Sequence, residues 1–108
     1  MVRRPVVAGS FYPGNKSFLE KELTQLIPLV GEKKKVLGLI SPHAGYVYSG
    51  GCAGKGFASV IIPDKIIILG VNHHGMGHPC AVDDNDHWST PLGEISIERS
   101  LAEKLVRE

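Results

Sequence analysis

Cysteine is scarce in this chain, charge is nearly balanced and long apolar runs are missing, and each shortage closes off a class of function. The two cysteines, Cys52 and Cys80, are too few for a disulfide framework and lack CxxC spacing. Cys52 stands among small residues in a predicted helix and Cys80 follows Pro79 at a predicted strand start. Both are expected as small buried side chains, kept reduced in a cytoplasmic protein. A net charge of +1 leaves no electrostatic footprint for nucleic acid. The one basic run, Lys33-Lys34-Lys35, follows Gly31-Glu32 and precedes an apolar segment, which reads as a solvated connector. No stretch approaches the about 18 apolar residues of a membrane span. Met1-Val2-Arg3-Arg4-Pro5 leads into no signal-peptide core, so a cytoplasmic location and no membrane partner are expected. Internal repeats and low-complexity segments are also absent. A length of 108 residues with 43% hydrophobic content fits one small globular domain.

Two histidine loops stand out against this background. The run Val36-Leu37-Gly38-Leu39-Ile40 leads into Ser41-Pro42-His43-Ala44-Gly45-Tyr46, and Ile66-Ile67-Ile68-Leu69-Gly70 leads into Val71-Asn72-His73-His74-Gly75. Both runs are apolar at successive positions, the pattern of strands covered on both faces. Between them Ser49 is a candidate cap for a helix reaching roughly Ser59, rich in glycine and alanine and carrying Phe57 and Val60 inward. Strand, crossover helix and strand within about 35 residues predict a right-handed parallel βαβ unit. The carboxyl ends of such strands lie side by side, and open α/β sheets bind ligands at that edge. Imidazoles delivered there can share a metal ion, with ring nitrogens on the order of 3–4 Å apart. One of His73 and His74 should face the His43 loop, and periodicity does not choose between them.

Elsewhere the pattern is conventional. Asn15 caps a predicted helix from about Lys16 to Ile27, with Leu19, Leu23, Leu26 and Ile27 on one stripe and Pro28 as the stop. Cys80–Val82 and Glu94–Ile97 read as short strands, and Asp83-Asp84-Asn85-Asp86 as a solvated turn rather than a calcium loop, since it lacks the glycine and terminal glutamate. His78 and His87 read as surface residues, and Trp88 as a core cover or pocket wall. A third helix from about Glu98 places Ile97, Leu101 and Leu105 on one face and runs to Glu108 without a glycine or proline stop. The stretch Ser49–Gly56 fails as a phosphate loop: serine occupies the first glycine position and glycine follows Lys55. Close helix packing explains its small residues better. Central apolar strands need neighbours that these residues do not supply, so the expected architecture is an incomplete domain.

The motifs Ala8-Gly9-Ser10-Phe11-Tyr12-Pro13, Ser41-Pro42-His43-Ala44-Gly45-Tyr46 with Tyr48-Ser49-Gly50, Leu69-Gly70 with His73-His74, and Thr90-Pro91-Leu92-Gly93 resemble the Memo (mediator of cell motility) family. Its prokaryotic members are also called AmmeMemoRadiSam system protein B. The resemblance runs over nearly all 108 residues, yet family members are considerably longer, so it covers their amino-terminal part only. It implies a three-layer α/β fold, a parallel βαβ core with flanking helices, similar to class III extradiol dioxygenases, which are non-haem iron enzymes. By motif position His43 and His73 resemble the family's two metal-ligand histidines, with His74 as their neighbour and the remaining site residues past residue 108. Phe11 stands at the family's cleft-lining aromatic, and Tyr46 and Tyr48 can supply hydroxyls to the same pocket.

Two functions follow as expectations. In one, iron or copper is held by His43 and His73 in a dioxygenase-like redox site, with no ring-cleaving activity in these 108 residues alone. In the other, the cleft binds a peptide or partner protein and the site is vestigial. Either way a further chain, or the missing carboxyl-terminal part, is the expected structural partner.

Overall fold

The computed structural model describes residues 1–108 as a small α/β domain. Its elements in order are β1 (Val2–Arg3), α1 (Lys16–Leu26), a π-helical turn (Tyr46–Gly50), α2 (Gly51–Ala58), β2 (His87–Thr90), β3 (Gly93–Ser96) and α3 (Arg99–Arg107). The strands form one mixed sheet in the order β1-β2-β3, parallel between β1 and β2 and antiparallel between β2 and β3.

α1 follows directly from its sequence. Asn15 is extended, and its side-chain oxygen accepts from Ser17 N–H at 3.0 Å and Phe18 N–H at 3.3 Å, satisfying two donors that the helix leaves free. Leu19 faces inward at 3% exposure. Ile27 closes the last turn by donating to Leu23 O, and Pro28 has no N–H with which to continue.

α2 begins differently from the expectation. Ser49 is not its cap: the residue lies inside the π-helical turn, and its hydroxyl donates to Ala44 O at 3.2 Å. The helix is entered through Gly50 without any side-chain cap. Packing explains this entry. Gly50 and Gly54, one helical turn apart, face α1 at its carboxyl end. A Cβ at Gly54 would sit 2.1 Å from Leu26 O, and one at Gly50 would sit 2.9 Å from Leu26 Cδ1. Only hydrogen fits at Gly54. Ala58 and Val60 continue the same buried line. Cys52 lies about half a turn away from that face and is exposed, and Cys80 is exposed as well, so neither is the buried residue expected.

The two apolar runs do not form the predicted parallel ladder. Val36–Ile40 and Ile66–Leu69 are not strands, and their side chains are exposed, Leu37 and Ile40 completely so. A single parallel bridge joins the segments upstream: Lys34 N–H donates to Ser59 O and Ile61 N–H donates to Lys34 O, each at 2.9 Å. Pro63 interrupts the backbone donors just beyond it, and a lone pair of runs without further strands or covering layers gains little from zipping. Cys80–Val82 is irregular rather than a strand.

The sheet forms instead around the acidic loop, which is a clasp and not a solvated turn. Asp83 accepts from Arg3 Nη1 at 2.7 Å, Trp88 Nε1 at 3.0 Å, Asn85 N–H at 2.9 Å and Asn85 Nδ2 at 2.8 Å. The Arg3 guanidinium also lies 5.4 Å from the Trp88 ring centroid. Asp86 N–H donates to Met1 O at 2.8 Å, and the Asp86 carboxylate meets the Met1 amino group. These contacts draw β1 beside β2. Trp88 is thus half-buried in β2 and tied into a polar network centred on Asp83, and His87 is likewise half-buried rather than fully on the surface. α3 starts one residue after Glu98, whose carboxylate pairs with Lys65 at 3.1 Å. Ile97 and Leu101 are half-buried on its inner face and Leu105 is exposed.

Two consequences are measurable. Gly54→Ala should destabilise the protein by at least about 1–3 kcal/mol through overpacking, whereas at Gly51 a Cβ meets nothing within 4 Å. Gly51→Ala should therefore be neutral or stabilising by up to about 1 kcal/mol. Denaturation midpoints of the two variants check this, and equal midpoints would refute the contact. Second, burial alone would raise the Asp83 carboxyl, but hydrogen bonds from Arg3, Asn85 and Trp88 outweigh it and hold the pKa at about 2, below the ordinary 3.8. A depressed folded value means that this stabilisation is complete above the ordinary pKa and is lost as pH falls through it toward about 2. Fluorescence of Trp88, the sole tryptophan, should report clasp opening over that window. Asp83→Asn should abolish the acid-dependent step.

Candidate functional site

Both histidine loops are irregular, so what positions their side chains is tertiary contact. Pro42 has a fixed φ and no N–H, which stiffens the approach to His43. On the other side of His43, Gly45 is buried against Phe11: a Cβ there would meet Phe11 O at 3.4 Å. The chain then enters the π-helical turn, whose first N–H, from Tyr46, donates to Phe11 O at 2.8 Å. Such turns are uncommon and concentrate at functional sites. The second loop is closed by Asn72 Nδ2 donating to Met76 O at 2.8 Å, with Gly75 and Gly77 in the left-handed region at φ 64° and 75°.

These loops bring His43 Nε2 to 3.2 Å from His73 Nε2, with ring centroids 5.2 Å apart and ring planes at 69°. Two nitrogens bound to one ion at about 2.05 Å each would show this separation at an N–metal–N angle of about 103°, close to tetrahedral. The donor set therefore fits a shared ion on its nitrogen side. No group of three or more histidine, cysteine or acidic side chains that could hold a metal forms around the pair. His74 is exposed and is not His43's partner, so the geometry makes the choice that periodicity left open.

Beside His43 lies a cavity of about 310 Å³, walled chiefly by apolar side chains that include Phe11, Leu23, Leu26 and Phe57, together with Tyr12, His43 and Tyr46. Among the residues expected to line the cleft, Phe11 and Tyr46 do so. Tyr48 does not: it lies two positions further along the turn, on the opposite side, and is 86% exposed. His74 is also outside the lining. Tyr12 and Ser49 were not among the sequence-based candidates. Tyr12 packs its ring on Tyr46, with centroids 5.6 Å apart and planes at 36°, and Ser49 ties the backbone next to His43 through Ala44 O. Burial, followed by the neighbouring Tyr12 and Glu22, pushes the Tyr46 phenol above its ordinary value.

Residues 3–108 match the description of the Memo-like protein family, and the chain belongs to that family. It is similar to MEMO1 family proteins of bacteria and archaea: 41% identical over 107 residues to that of Aquifex aeolicus (strain VF5), covering 98% of this chain and 40% of the relative. Identity is 46% over 105 residues to that of Methanosarcina barkeri (strain Fusaro / DSM 804), covering 96% and 39%. For Thermococcus onnurineus (strain NA1) it is 39% over 112 residues, covering 99% and 38%. The chain thus spans about two-fifths of the length of the curated relatives that it matches.

The raised Tyr46 pKa is directly testable. In an ultraviolet titration of the three tyrosines, one phenol should ionise later than the others, and Tyr46→Phe should remove that late component. A late component that survives the substitution would place the buried phenol elsewhere.

Proposed function

We propose that this chain carries the two-histidine half of a non-haem metal centre, with His43 and His73 as ligands and iron or copper as the ion. The single observation behind this reading is the 3.2 Å approach of the two Nε2 atoms across thirty residues of chain. Bound there with open coordination positions, such an ion could bind dioxygen or an oxygen-bearing substrate and support a redox role of dioxygenase type. The chain's own residues bind and orient: His43 and His73 present their Nε2 atoms, Pro42 and the Phe11 carbonyl restrain the His43 loop, and Phe11 with Tyr46 walls the adjoining cavity. Two imidazoles are one short of the three protein ligands usual at such sites. The third is assigned to polypeptide that the longer relatives carry and these residues do not, whether in the same chain or a separate one. In this reading the complete architecture resembles the class III extradiol dioxygenases and works in the cytoplasm.

The apolar cavity beside His43 favours a second reading, in which the cleft binds a peptide or partner protein and chemistry is vestigial. Calorimetric titration with Cu(II), and with Fe(II) under anaerobic conditions, separates the two. His43→Ala and His73→Ala should each abolish ion binding, while His74→Ala should retain it. Undiminished binding in His43→Ala would overturn the metal reading. Absence of ion binding together with peptide capture that is lost in Phe11→Ala would establish the second.

A further inference from the structure

We infer that Tyr12 is a positioning residue for His43, acting through the arch formed by residues 7–12. This rests on the reading of His43 and His73 as a ligand pair. The arch is rigid by construction. Ser10 and Phe11 N–H groups both donate to Val7 O, at 3.1 and 2.9 Å, and Gly9 N–H donates to Tyr12 O at 2.8 Å. Gly9 sits at φ 84°, where any side chain is strained, and Gly14 backs it so closely that a Cβ there would lie 3.3 Å from Gly9 N.

Two contacts carry this rigidity to the histidine. The Phe11 carbonyl holds the Tyr46 N–H at 2.8 Å, and the Tyr12 ring lies on the Tyr46 ring at a centroid distance of 5.6 Å. Tyr46 is three residues past His43, and the intervening Ala44 and Gly45 leave little freedom, since Gly45 is buried under Phe11 and Ala44 O accepts from Ser49. His43 itself is exposed and lies in an irregular loop, on the wall of the cavity that Tyr12 and Tyr46 also line. Its direction toward His73 therefore depends on where Tyr46 is held, and Tyr46 is held by Tyr12 and Phe11. An aromatic tilted against another aromatic is favourable beyond the area it buries, which biases one loop orientation. The contact is made by the ring, so the hydroxyl is dispensable.

The test compares Tyr12→Phe, which keeps the ring, with Tyr12→Leu, which keeps apolar bulk without it, and with Gly9→Ala, which distorts the arch from a distance. Two readouts are taken on folded protein, verified by far-ultraviolet circular dichroism: the inter-ring proton NOE between His43 and His73 in the metal-free state, and Cu(II) affinity with its electron paramagnetic resonance spectrum. Tyr12→Leu and Gly9→Ala should lose the NOE and weaken Cu(II) binding by about 10–100-fold with an altered spectrum, as loss of a ligand-orienting partner does. Tyr12→Phe should match wild type in both. An intact NOE in Tyr12→Leu, or equal losses in Tyr12→Leu and Tyr12→Phe, would overturn the assignment. Should wild type bind no Cu(II) while Tyr12→Leu and Gly9→Ala, but not Tyr12→Phe, lose the NOE, the metal reading fails and the positioning role stands.

Discussion

The close approach of α2 to the carboxyl end of α1 is the constraint from which the site is built. At Gly54 the two backbones meet with room for a hydrogen and nothing larger, and at Gly50 the same face receives Leu26. Glycine is a poor helix former, so its presence at both positions costs helix stability that only this contact returns. The consequence extends upstream. Because α2 must present glycine to α1, the turn leading into it is fixed against the same surface, and that turn carries Tyr46 three residues after His43. The helix pair thus sets the height and direction from which the His43 loop departs.

A second, independent anchor holds the ends of the chain segments together. Asp83 collects four hydrogen bonds from Arg3, Asn85 and Trp88, and the short strands β1 and β2 are parallel because that carboxylate and Asp86 pull the first residues alongside. A two-residue strand has negligible stability by itself. Its place in the sheet is electrostatic before it is hydrophobic. The Arg3 guanidinium combines a 2.7 Å bond to Asp83 with a position over the Trp88 ring, a use of its flat, delocalised charge that lysine could not reproduce.

Between these anchors the apolar runs that flank the histidine loops remain uncovered. The accessible surface is 9196 Å², against about 5,900 Å² expected for a compact chain of this mass. Only Leu19, Ala58 and Val60 form a buried apolar core. Nevertheless the His43 and His73 rings meet. Their meeting is a property of the loops and of the braces behind them, not of a completed sheet, since the parallel ladder expected between Val36–Ile40 and Ile66–Leu69 is absent.

Much of the local structure was legible in the residues themselves. Asn15 and Pro28 delimit α1 because capping and a missing N–H act within a few residues, and the Ile97, Leu101 and Leu105 stripe marks α3 for the same reason. The histidine loops were legible too, since each directly follows an apolar run, and the family motifs distinguished His43 and His73. What the residues could not decide depended on contacts between distant parts of the chain. Ser49 has a good capping side chain, yet it serves Ala44 because Gly50 and Gly54 must face α1. Tyr46 and Tyr48 are alike as residues, and only the π-helical turn sends one into the cavity and the other to solvent. Asp83 looked like a solvated acid because nothing in its neighbourhood announces Arg3, eighty residues away. Local order here follows from short-range sterics and hydrogen bonding that the sequence encodes directly. The site follows from which surfaces meet, and that is settled only when helix packing and the polar clasp bring remote segments together.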